Sequence, residues 1–82
     1  MDITSLRARF GAGVRARRLE LGYTQEKLSA QIDLTVRYLA GIERGERNLS
    51  MDRMDDFSGR LQSDPMTLLQ VGKSILEEEH NN

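Results

Sequence analysis

The stretch Tyr23–Gly45, YTQEKLSAQIDLTVRYLAGIERG, contains two short amphipathic segments with almost nothing between them. The first runs from about Gln25 to Ile32. Thr24 stands before it as an N-cap hydroxyl, and Leu28 and Ile32 give the buried spacing. The second, about Thr35 to Arg44, turns Leu39 and Ile42 inward and closes at Gly45. Isolated helices shorter than roughly 12–15 residues are marginal in water, so the rest of the chain must hold this pair. With Leu39, Ile42 and Glu43 inward, Val36, Arg37, Ala40, Gly41 and Arg44 face outward. An exposed helix face ordinarily carries Glu, Lys or Gln; small residues with arginines suit a helix pressed against something negatively charged. The major groove of DNA, about 12 Å wide, admits a helix, and an arginine can bond a guanine edge in bidentate fashion.

Outward from this pair, helical periodicity continues and strand signals are missing. A first helix, about Thr4 to Leu21, puts Leu6, Phe10, Val14, Arg18 and Leu21 on one inward stripe, and Gly22 follows as its C-terminal cap. Gly11 and Gly13 weaken that helix by up to about 1 kcal/mol each relative to alanine. Their presence implies close approach of a neighbouring helix or of DNA. Arg18 lies on the apolar stripe, and a buried charge needs a partner. Glu43 is the natural one, tying the first helix to the third by a charge-assisted, two-pronged bond. Ser50 caps a fourth helix with Met51, Met54, Phe57 and Leu61 inward. Asp64-Pro65 starts a fifth, about 65–78, apolar over a wide arc that includes Met66, Leu68, Leu69, Val71, Ile75 and Leu76.

Eighty-two residues make one small all-α domain, residues 1–79, followed by a frayed polar tail, 80–82. There is no cysteine, and the one histidine, His80, reads as a solvated tail residue. Disulfide and thiolate-metal staples are therefore excluded, no metal or other cofactor is expected, and packing must supply the stability. An enzyme is not expected, since the chain has no phosphate-binding glycine loop and no second histidine for an acid–base site. Glu77-Glu78-Glu79 reads as a solvated helix end. Without a membrane span or a signal-peptide pattern, a cytoplasmic protein is expected. The net charge of −1 conceals an asymmetry. Residues 1–47 carry nine Lys/Arg against six Asp/Glu (+3), and residues 48–82 carry three against seven (−4).

From Arg18 to Leu49 the chain resembles the Xre/Cro–C1-type helix-turn-helix family. The resemblance rests on Arg18…Gly22-Tyr23-Thr24-Gln25-Glu26…Leu28…Ile32…Leu39…Ile42-Glu43-Arg44-Gly45. Within that family, the run GIERGERNLS (Gly41–Ser50) and the apolar last helix look most like the controller proteins of restriction–modification systems. The resemblance implies a compact five-helix, lambda-repressor-like DNA-binding domain. Its second helix would position and its third would read. Thr24 and Gln25 would contact backbone phosphate, with Tyr38, Arg44 and Asn48 adding to the grip. Thr35, Val36, Arg37 and Arg47 would meet base edges. Two positions depart from the family pattern. Asp33 stands where glycine is common in the turn, and Asp tolerates the left-handed conformation. Val36 stands where several relatives carry a polar or basic reader and offers only an apolar contact, for instance to a thymine methyl.

The function implied is a homodimeric, sequence-specific transcriptional regulator on a (pseudo)palindromic operator, controlling restriction–modification genes by blocking or recruiting RNA polymerase. Leu69, Ile75 and Leu76 are the candidate dimer seam. The competing readings are a phage-type repressor, an antitoxin-type autoregulator and a protein–protein adaptor. A toxin-binding antitoxin needs a further partner-binding segment, and only Glu77 to Asn82 follow the apolar part of the fifth helix.

Overall fold

The computed structural model describes residues 2–81. It holds five helices: α1 (Leu6–Glu20), α2 (Gln25–Gln31), α3 (Val36–Glu43), α4 (Met51–Arg60) and α5 (Pro65–His80). Each begins at a side-chain cap that accepts a backbone N–H three residues on: Ser5, Thr24, Thr35, Ser50 and Asp64. Ser5 replaces the start near Thr4 that periodicity suggests, and Thr35 and Arg44 prove to be the caps of α3 rather than its first and last turns. The expected frayed end is helical as far as His80, with Asn81 as C-cap. Asn82 lies outside the described residues.

The four turns share one closure. At each, the residue after the cap takes a positive φ: Gly22 (78°), Asp33 (59°), Gly45 (76°) and Gln62 (54°). The amide beyond it then donates to a carbonyl five residues back: Tyr23 to Arg18, Leu34 to Ser29, Glu46 to Gly41 and Ser63 to Ser58. This closure reverses the chain within two or three residues, which is why α2 and α3 sit so close. Asp33 adopts the left-handed conformation that glycine usually fills, at a modest strain for a residue with a Cβ.

Phe10, Val14, Leu28, Ile32, Leu39, Ile42, Phe57, Leu61 and Leu68 form the core, with Phe10 and Phe57 edge to face at 6.3 Å. α5 runs antiparallel to α1 at backbone contact. A Cβ on Gly13 would strike the Leu68 carbonyl, and one on Gly72 would strike the Arg9 carbonyl. Gly11 backs onto the carbonyls of Ile42 and Glu43 in α3. The two α1 glycines therefore serve helix packing, not an approach to DNA.

Two inward expectations are corrected. Leu6 is 67% exposed and Met51 83% exposed, each at the first position of its helix. A helical side chain leans toward its own N-terminus, so at that position it projects past the end of the packed surface. No described helix is long and apolar enough to cross a membrane.

Candidate nucleic-acid interface

The α2–turn–α3 unit is anchored from behind by a buried polar knot. Arg18 and Glu43 are only 6% and 8% exposed. Arg18 Nε donates to Glu43 Oε2 at 2.7 Å and Nη2 to Oε1 at 3.0 Å, while Nη1 donates to the Tyr23 carbonyl at 2.8 Å. Gln25 Nε2 donates to the same Glu43 Oε1 at 3.0 Å. One carboxylate thus joins α1, the start of α2 and the end of α3, with no buried side-chain polar atom left unpartnered among the described residues.

This knot fixes what Gln25 can do. Its amide orientation is set by Glu43, and a primary amide has a second hydrogen, which remains for an acceptor outside. Thr24 and Thr35 accept the amides of Lys27 and Tyr38 as caps, and each hydroxyl keeps its own hydrogen to donate.

On α3, Leu39, Ile42 and Glu43 are buried while Thr35, Arg37 and Arg44 are exposed and Val36, Tyr38 and Ala40 are half-buried. Gly41, expected on the open face, is buried, because the Arg47 side chain lies across it. The Arg47 guanidinium sits 5.3 Å from the centre of the Tyr38 ring. Tyr38 therefore lies beneath Arg47, its body packed against the core. Arg44 is exposed but occupied: its Nε and Nη2 donate to Glu46 at 2.9 and 3.1 Å. That bond pushes the Arg44 guanidinium above its ordinary range and holds the Glu46 carboxyl below its own. Asn48 Oδ1 accepts from Arg7 Nη1 at 2.8 Å, which pins the loop after α3 to the start of α1.

Arg37 and Arg47 make no hydrogen bond or ion pair among the described residues, so their donors point outward unengaged. Sequence reasoning missed Glu46, Arg7 and the cover on Gly41. The signal for Glu46 was present: opposite charges flank Gly45 in Arg44-Gly45-Glu46, and a left-handed glycine brings its two neighbours together. The proposed seam residues Leu69, Ile75 and Leu76 are half-buried on α5, Leu69 against the core.

A family model described as Helix-turn-helix matches residues 14–68. The control protein C.BamHI of Bacillus amyloliquefaciens is 41% identical over 66 residues, which is 79% of this chain and 82% of that protein. The restriction-modification controller protein C.AhdI from Aeromonas hydrophila superposes with a TM-score of 0.67 at 33% identity, over 74% of this chain and 92% of that one. The clp gene regulator ClgR from Corynebacterium glutamicum superposes with a TM-score of 0.79 over 94% of this chain and 85% of that one; at 20% identity, this likeness shows the fold alone. The chain belongs to the helix-turn-helix family, as an Xre-like DNA-binding regulator similar to restriction–modification controllers.

Proposed function

We propose that the protein acts as a homodimer on a (pseudo)palindromic operator, lays α3 in the major groove and controls the expression of restriction–modification genes. One observation carries this reading: Arg37 stands exposed and unengaged on a helix whose opposite edge is buried. Arg37, with Arg47, Thr35 and Val36, meets base edges. Gln25, through its second amide hydrogen, and Thr24 grip phosphate from α2. Tyr38, Asn48 and Arg44, once Arg44 exchanges Glu46 for phosphate, hold the flanks. The similarity to C.BamHI and C.AhdI supports the choice of regulated genes.

One α3 reads too few base pairs to be selective, since each contributes only about 1–3 kcal/mol of discrimination. A two-fold dimer sets two readers on half-sites about 34–36 Å apart. Ile75 and Leu76, with Leu69, supply the seam on α5, and the exposed Val71 on the same helix extends the apolar surface. Residues 1–79 work as one domain in the cytoplasm, where occupancy of the operator blocks RNA polymerase or recruits it.

Footprinting on the DNA upstream of the protein's own gene should show paired protected half-sites. Titrations with duplex DNA should give a steep salt slope. Arg37→Ala should cut discrimination between operator and scrambled duplex by about tenfold or more. Gln25→Ala should weaken both duplexes alike. Wild-type discrimination in Arg37→Ala would refute the reading.

A further inference from the structure

Resting on the reading of α3 as the groove-facing helix, we propose that Gly41 and Tyr38 are positioning residues that hold the Arg47 guanidinium on the face of α3 as a reader beside Arg37. Arg47 belongs to the loop, not to the helix. The left-handed Gly45 and the Glu46-to-Gly41 bond (2.9 Å) turn the chain back so that its side chain returns over α3. A Cβ on Gly41 would lie 3.0 Å from Arg47 Nε and 3.1 Å from Cγ, so the stem rests on bare backbone. One turn earlier, the Tyr38 ring lies under the guanidinium. Stem and head are thus held by apolar and cation–π contact, and neither uses up an N–H donor.

Packing gives no other reason for this glycine. Gly11, Gly13 and Gly72 each face a backbone carbonyl of another helix, whereas the three nearest atoms to a Cβ on Gly41 all belong to Arg47. A glycine inside a helix is less stable there than alanine. What Gly41 provides in exchange is the space for one ordered arginine. A long side chain ordered before binding loses less freedom when it meets its target. The other arginines near this face are differently employed, Arg44 on Glu46 and Arg7 on Asn48.

The test is Gly41→Ala, in which only a flexible side chain must give way. The melting midpoint should stay level or rise. Affinity for a duplex that the wild-type protein selects from a randomised pool should fall roughly three- to tenfold. The salt slope should not change, because every cation remains. Arg47→Ala should lose the same discrimination, and adding Gly41→Ala to it should cost nothing further. An equal added loss would overturn the proposal, because the methyl group would then be obstructing DNA directly. Tyr38→Phe, which keeps the ring under Arg47 but loses the hydroxyl offered to phosphate, should keep wild-type discrimination while weakening operator and scrambled duplex alike. A readout without DNA separates the two ideas: the Arg47 side-chain protons should show a ring-current shift that Gly41→Ala reduces. Its absence from the wild type would overturn the cradle alone. If neither Arg37→Ala nor Arg47→Ala changed discrimination, the groove reading would fail and this inference with it.

Discussion

Glu43 and Arg44 are neighbours in sequence, and each is half of a two-pronged ion pair, yet the two pairs have little else in common. Glu43 is buried with Arg18 and shared by three helices. Arg44 meets Glu46 two residues away, with both side chains more than half exposed. The buried pair has no water to fall back on, so losing either partner strands a charge in the core. The exposed pair can dissolve into solvent at almost no cost, and pairs of this kind add little to stability. Position relative to the core, not geometry, decides that one pair is architecture and the other an exchangeable surface contact.

The largest effect should come from breaking the inner pair. Glu43→Ala should lower unfolding stability by about 3–5 kcal/mol, read from the urea midpoint. For a domain of this size that is a large share of the total. The double variant Arg18→Met/Glu43→Leu should recover most of the loss, because no charge is left stranded. A double variant as unstable as the single one would mean that the pair stabilises by more than avoiding its own desolvation. Gln25→Ala sits between the extremes. Arg18 still satisfies Glu43, so the stability cost should be about 0.5–1.5 kcal/mol, and the same urea series checks it.

The inner pair was legible in the sequence because both residues fall on inward stripes, at Arg18 beside Val14 and Glu43 beside Ile42. Three of the five caps, Thr24, Ser50 and Asp64, were legible too, since a cap depends on a few consecutive residues. Leu6 and Met51 were misread because periodicity gives a direction around a helix axis but not how far along that axis the core extends. The purpose of Gly11 and Gly13 depended on their packing partners, Ile42 and Glu43 in α3 for the first and Leu68 in α5 for the second, all far away in the chain. The open face of α3 was placed correctly at Arg37 and incorrectly at Gly41. No helical period contains a side chain that re-enters from the following loop. The Arg44–Glu46 pair across the left-handed Gly45 was missed although its signal, opposite charges flanking that glycine, was present.

The smallest effect should come from the outer pair, and it should appear in binding rather than in folding. On the proposed reading, Glu46 occupies the Arg44 guanidinium that would otherwise grip phosphate, and its carboxylate would repel the duplex as well. The bond to Arg44 keeps the Glu46 carboxyl below the ordinary carboxylate range. Any stabilisation from the pair is therefore fully present above that range and is lost only as pH falls through the lowered value. Near neutral pH the pair is intact, so substitution is the direct probe of it. Glu46→Gln should leave the melting midpoint unchanged and tighten binding to a scrambled duplex by roughly two- to fivefold. Operator and scrambled duplex should gain alike, because Arg44 would be released toward phosphate and not toward a base edge. A gain confined to the operator would make Arg44 a reader, and a fall in melting temperature would mean that the outer pair belongs with the inner one after all.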